Sequence, residues 1–253
     1  MSMAMNDITA AAAAIIAARR SGSQFDCAPL HGPGGAEDAY AIQDRVRAEI
    51  DPGPVRAWKV GTPSREGEPS AAPIFSAGVL ASPAMVPASS FHMRAAEVEV
   101  AFRLGRDVVP GCAEADLRAA VESVIVVIEL CDTRLRDFDS ASAWWKLADN
   151  QSNYGLVLGS GTRDWQSIDF IAQRAEFHVN GALRNASAGA HPLGSPFGLL
   201  PWLSVHVKAR GGALRAGDVI TTGSWTGLEL VRPGDEILAR FPGIGEARAT
   251  FKM

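Results

Sequence analysis

The sequence predicts an α+β fold, and three observations carry that prediction. Two helix-patterned segments lie before residue 55, short β-patterned segments dominate after it, and strands and helices nowhere alternate regularly. No GxGxxG opens a helix after a predicted strand, so a dinucleotide-binding unit is not expected. On this reading residues 1–54 form a helical N-terminal part and residues 55–253 a β-rich body, joined in one continuous domain.

Residues 7–20 read as an alanine-rich amphipathic helix with Asn6 or Asp7 as its N-cap. Its apolar run, Ala10 to Ala18, is about half the length that crosses a bilayer. Asp7 before it and Arg19–Arg20 after it have the wrong polarity for a secretory signal. Residues 36–50 form the second helix, with Tyr40, Gln43, Arg47 and Ile50 at helical spacing behind Gly34–Gly35. The Gly, Pro and Ser of residues 21–35 mark a loop between the two. Val55–Val60 reads as a strand, and Thr62–Ala72 as a long loop of the kind that often carries function.

From Glu97 to Leu104 the chain alternates: Val98, Val100, Phe102 and Leu104 face one way, Glu97, Glu99, Ala101 and Arg103 the other. Ala113–Ser123 is expected to be helical and Val124–Leu130 a buried strand. Asn180–Gly181 between Ala175–Val179 and Ala182–Ala186 signals a hairpin, because that dipeptide adopts the positive φ angles of a two-residue turn. Pro196–Val207 reads as helix, kinked at Pro201 or truly starting there. Two echoing stretches, Leu214–Ile220 and Val231–Ile237, each place a Gly-Asp turn before a strand. Their aspartates, Asp218 and Asp235, are read as turn residues without chemistry.

Hydrophobic residues make up 47% of the 253 and charged residues 21%, ordinary globular usage with enough chain for a full core. A net charge of −4, with basic residues scattered, gives no electrostatic reason to expect nucleic acid or a membrane as partner. Cys27, Cys112 and Cys131 are isolated, which fits a reducing compartment and argues against a zinc–thiolate centre. The expected location is the cytoplasm.

The chemistry-bearing residues are acidic. Glu97 and Glu99 are two apart on a predicted strand, so their carboxylates leave the same face with Cα atoms roughly 6.5–7 Å apart. A solvated strand face explains such a pair, and so does a shared cation. Glu129 ends the apolar run Val-Ile-Val-Val-Ile-Glu-Leu, where a bare charge is too costly to bury. It is either paired, for instance with Arg134 or Arg136, or bound to metal. Oxygen-only ligation suits Mg²⁺, Mn²⁺ or Ca²⁺ rather than zinc. Lys59, in Ala-Trp-Lys-Val-Gly, is read either as a snorkelling surface lysine or as a desolvated one whose lowered pKa suits proton transfer.

Several words occur in order along the chain: Asp38-Ala-Tyr-Ala-Ile-Gln43, Trp58-Lys-Val-Gly61, Glu97-Val-Glu99, Ile128-Glu-Leu-Cys-Asp-Thr-Arg134, Ala148-Asp-Asn-Gln-Ser152, Pro201-Trp-Leu203 and Pro233-Gly-Asp235. From about residue 36 onward the chain resembles the 2-keto-4-pentenoate hydratase and 4-oxalocrotonate decarboxylase group of the fumarylacetoacetate hydrolase superfamily. The resemblance implies a mixed β-roll with a short helical N-terminal part. It also implies Mg²⁺ or Mn²⁺ held by Glu97, Glu99 and Glu129, and proton transfer by Lys59. Asp149, Asn150 and Ser152 are expected to line the substrate cavity, and Ser224 to offer a substrate-binding hydroxyl; a structural turn is the rival reading at each. The implied activity is hydration of an unsaturated 2-keto acid in aromatic-compound catabolism. The alternatives are a decarboxylase, a C–C hydrolase or a non-catalytic partner subunit. The resemblance further implies a homo-oligomer that associates with a decarboxylase or hydratase partner. Glu66 and Glu68 are the only acids between Thr62 and Ile74. His31, His92, His178, His191 and His206 match no catalytic motif and are read as structural or surface residues.

Overall fold

A computed structural model describes residues 3–253 of the chain. Helix α1 (Met5–Ser21) and helix α2 (Ala36–Ile50) fall where apolar spacing put them. The expected cap is corrected: Ala4 holds the cap position and no side chain caps the helix. Asp7 lies instead in the first turn and Arg19 and Arg20 in the last, each charge complementing the helix dipole.

The body is built on two sheets. The larger contains β1 (Ala57–Gly61), β2 (Ser70–Ile74), β3 (Val79–Ala81), β5 (Ala95–Leu104), β6 (Val121–Cys131), β7 (Asn153–Thr162), β10 (Val219–Thr221) and β11 (Glu229–Leu230). Its order is β2-β1-β10-β5-β6-β7-β3, with β11 added to β5, and it curls into a half-barrel. The smaller holds β4 (Ala84–Pro87), β8 (Arg174–Val179), β9 (Ala182–Ala188), β12 (Glu236–Phe241) and β13 (Gly245–Lys252), in the order β4-β13-β12-β8-β9. Parallel and antiparallel pairs both occur, as in β1–β10 and β5–β6. This is the mixed α+β roll expected.

Periodicity of two sets the layers. Val98, Val100, Phe102 and Leu104 enter the main core with Phe177, Ala239 and Phe251 of the second sheet. On the opposite face Ala57, Ala101, Ile125, Val127 and Leu156 form a separate apolar floor. The acidic residues share that second face. A third cluster joins Ile15, Ile42 and Val46 of the first two helices to Trp145 and Leu147 of α4 (Ala143–Ala148). The N-terminal helices therefore cap the same end of the body that bears the acids.

Two expected boundaries are corrected. The loop after Val60 ends sooner, because Ser70–Ala72 pair with Gly61, Val60 and Lys59 of β1. The helix expected to reach Ser123 is confined to α3 (Glu114–Ala120); from Val121 the chain is strand, in keeping with its β-branched residues. The hairpin turns at Asn180 and Gly181, with φ of 52° and 80°. A 3₁₀ turn over Pro196–Leu199 leads into α5 (Leu200–Ala209), with Pro201 in its first turn. Asp218 accepts from the Arg215 amide at 2.7 Å and Asp235 from the Arg232 amide at 2.8 Å, so both are turn residues. No helix of the described residues is long and apolar enough to cross a membrane.

Candidate active site

Strands β5 and β6 pair with Glu97 directly opposite Glu129 and Glu99 opposite Val127. Like charges in that position repel, and the structure places a cation against them. Lys59 Nζ lies 2.6 Å from Glu129 Oε1, with Lys59 14% and Glu129 0% exposed. The surface-lysine reading is thereby corrected, as is the pairing of Glu129 with Arg134 or Arg136. The expected fall in the Lys59 pKa is corrected too. Burial works to lower it, but Glu129, Cys131, Glu97 and Glu99 together raise it above the ordinary lysine value.

Asn153 Nδ2 donates to the same Oε1 of Glu129 at 2.8 Å, whereas Oε2 is buried without any hydrogen-bond partner. An orphaned carboxylate oxygen is costly in a dry interior. Ligand atoms of Glu97, Glu129 and Cys131 lie within 4.8 Å of one another. Glu99 stands apart from that trio. Its Oε2 accepts from the Thr221 hydroxyl and, at 2.8 Å, from the Gly223 amide. Burial, then Glu129, raises the carboxyl pKa of both Glu97 and Glu99. Burial, Glu129 and Glu97 likewise hold the Cys131 thiol well above its usual value, so it remains a neutral thiol. The donor set is thus oxygen-rich and short of positive charge, and it fits a hard divalent cation.

Ser224 lies in the loop that leaves β10 at Thr221 and rejoins the sheet at Glu229. The Trp225 amide donates to the Val98 carbonyl at 2.9 Å, fastening this loop beside the acidic strand. Ser224 Oγ is buried and faces Glu97 without the geometry of a hydrogen bond.

The segment after α4 behaves differently at each position. Asp149 is fully buried and bound to Arg134: Nε reaches Oδ1 at 2.5 Å and the backbone amide reaches Oδ2 at 2.9 Å. Asn150 Nδ2 donates to the Pro73 carbonyl at 2.8 Å, while its Oδ1 has no partner. Asn150, Gln151 and Ser152 all take left-handed backbone angles, with φ of 55°, 52° and 61°. Three consecutive non-glycine residues in that region store strain of a kind that collects at functional sites. The strain aims the Gln151 carbonyl at Lys59 Nζ, 3.2 Å away, and its side-chain amide at Ser70 Oγ, 2.5 Å away.

The structure therefore brings Lys59, Glu97, Glu129 and Ser224 together. Glu99 stands one hydrogen-bonded layer aside, and Asp149 is turned into an internal ion pair. Cys131, Asn153 and Thr221 were missed from sequence, whereas Gln151 lies inside the segment, Asp149 to Ser152, expected to line the cavity. Cys131 had a signal, since it follows Glu129 by two and shares its strand face. His191 is buried against the Thr222 carbonyl at 3.0 Å, and His178 lies 3.0 Å from Glu176, which are structural roles.

The fumarylacetoacetate (FAA) hydrolase C-terminal family matches residues 60–252. The chain belongs to that family. A 2-keto-4-pentenoate hydratase of Burkholderia vietnamiensis (strain G4 / LMG 22486) is 31% identical over 262 residues, covering 97% of this chain and 98% of the relative. A 4-oxalocrotonate decarboxylase of Pseudomonas putida is 33% identical over 144 residues, 56% of this chain and 53% of that one. Among solved structures, the 4-oxalocrotonate decarboxylase of Pseudomonas putida G7, complexed with magnesium and adipate, superposes with a TM-score of 0.85. It covers 99% of both chains at 24% identity, a likeness of fold.

Proposed function

We propose that this member of the fumarylacetoacetate hydrolase family is a metal-dependent lyase that adds water to an unsaturated 2-keto acid. In this reading Glu97, Glu99 and Glu129 hold Mg²⁺ or Mn²⁺ and Lys59 moves the proton. The observation that carries it is the pairing of Lys59 with Glu129, whose second oxygen is buried and unpartnered beside Glu97. The hydratase relative matched over 97% of the chain favours hydration over loss of CO₂.

A divalent cation at these carboxylates supplies Lewis acidity toward the adjacent carboxylate and carbonyl oxygens of a 2-keto acid. The chain's own residues do the rest. Lys59, held as an ammonium by Glu129, presents a proton at Nζ and offsets part of the acidic charge facing an anionic substrate. The Gln151 carbonyl orients that ammonium, and Ser224 Oγ is free to bond a substrate oxygen. Asp149 keeps the strained segment in place through Arg134.

Turnover of a panel of 2-keto acids, unsaturated and 4-oxo, tests the proposal after chelation and after return of Mg²⁺ or Mn²⁺. Metal-dependent hydration is expected. CO₂ release instead would make the chain a decarboxylase, cleavage of a carbon–carbon bond a hydrolase, and inertness toward all a partner subunit. Full activity in chelator would remove the metal from the reading. Metal should also raise thermal stability, by about 2.7 kcal/mol at a hundredfold excess over Kd. Association into a homo-oligomer, with or without a decarboxylase partner, is part of the same reading and is checked by sedimentation of the protein alone and mixed.

A further inference from the structure

A cavity of about 660 Å³ lies at the end of β1, lined by Gly61, Thr62 and Ser70, and has no role in the reading so far. That volume is in the range of small-molecule pockets. Two observations connect it to Lys59. Gly61, which lines it, is two residues beyond Lys59 on β1, so both open onto the same strand face. Ser70, directly across from Gly61, also lines it and accepts from the side chain of Gln151, whose carbonyl meets Lys59 Nζ.

The walls are apolar and aromatic: Tyr40, Trp144, Leu147, Trp202, Val205 and His206. His206 stacks on Trp202 with ring centroids 4.4 Å apart and lies 4.6 Å from Tyr40. Burial, then Arg210, lowers the His206 pKa to about 4, so the ring is neutral near pH 7. No lysine or arginine lines the cavity among the described residues, and its single charged wall is Glu68. Glu68 Oε1 accepts from Trp202 Nε1 at 3.2 Å, which anchors the acid against the aromatic wall.

We propose that this cavity receives the far end of the substrate and selects an uncharged apolar or aryl group there over a second carboxylate. The inference rests on the 2-keto acid reading above and names the substrate class within it. A carboxylate entering the cavity leaves water, finds no cation on its walls (Arg210, behind Tyr40 and His206, is taken up by Asp44 and Gln43) and approaches Glu68, whereas a phenyl ring gains aromatic contact and apolar burial.

Calorimetric binding of three saturated 2-keto acids in the presence of Mg²⁺ tests this without relying on turnover. The expected order has 2-oxo-5-phenylpentanoate about tenfold or more tighter than 2-oxopentanoate, with 2-oxohexanedioate weakest. Trp202→Ala should weaken the phenyl compound about tenfold more than 2-oxopentanoate. Glu68→Lys should move the preference toward the dicarboxylate. Equal binding of the phenyl and unsubstituted acids, or preference for the dicarboxylate by the parent protein, would overturn the inference while leaving the 2-keto acid reading standing. Failure of all three to bind would overturn that reading and the inference with it.

Discussion

At the scale of single residues, the site depends on one buried ion pair. Lys59→Met removes the counter-ion of the buried Glu129 carboxylate in the metal-free protein and leaves it only the Asn153 hydrogen bond, and breaking such a buried pair typically costs about 3–5 kcal/mol. The denaturation midpoint should fall accordingly, and added Mg²⁺ or Mn²⁺ should restore part of it by supplying the missing positive charge. Under saturating metal, kcat should fall roughly 10²–10⁴-fold, the range for a general acid–base group. An unchanged midpoint together with near-parental kcat would remove Lys59 from both roles. The acidic residues were legible because strand alternation and a charge inside an apolar run are local signals. Their partners were not. Lys59 meets Glu129 across a curled sheet, and the strand neighbours that place them come from opposite ends of the chain. The expected drop in the Lys59 pKa failed for the same reason: burial was foreseen, but not the number of acids gathered around it.

At the scale of elements, the strained turn and helix α5 give separate tests. Ser152 sits at a φ of 61°, where an L side chain costs roughly 1–2 kcal/mol. Ser152→Gly should therefore raise the unfolding midpoint, and if the hydroxyl or the rigid turn serves the substrate, KM should rise as stability improves. For α5 the titration of His206 gives the direction. Unfolded histidine protonates near pH 6.5, whereas folded His206 stays neutral down to about 4. Between those values the unfolded chain binds the extra proton, so His206 makes stability decline as pH falls through that window. His206→Gln removes the titration, and its stability should decline less steeply from pH 6.5 to 4 than that of the parent. Element types were readable wherever the local pattern was strong, as at the Asn180–Gly181 hairpin and the two Gly-Asp turns. Boundaries slipped where a neighbour decided them: Ser70–Ala72 became strand because β1 was there to pair with.

At the scale of the whole molecule, the N-terminal helices and the β body share contacts that bear on the site. Arg19 of α1 reaches the Asn153 carbonyl at 3.5 Å and lies 3.9 Å from Asp149 Oδ1, beside the strained segment. Burial, then Arg134, lowers the Arg19 pKa to about 9, a sign of how closely that arginine is packed into the body. We propose that residues 1–54 and 55–253 fold as one unit. Removing residues 1–54 should yield a chain that unfolds at lower denaturant concentration and binds metal more weakly. A truncated protein with parental stability would make the helical part a separate appendage.

The placement of β10 has a further consequence, for the order in which the protein is made. Lys59 pairs in register with Thr221, a strand neighbour synthesised about 160 residues later. Chains leave the ribosome N-terminus first, so β1 waits through most of translation with one edge open. Glu97 and Glu129 can face each other long before that, since β5 and β6 are adjacent in both sequence and sheet. The acidic half of the site is thus ready early and carries its repulsion unrelieved until the last fifth of the chain delivers β10 and seats the lysine strand. Nascent chains stalled before residue 219 should possess the carboxylates but not the assembled candidate site, and should be the species most in need of a chaperone.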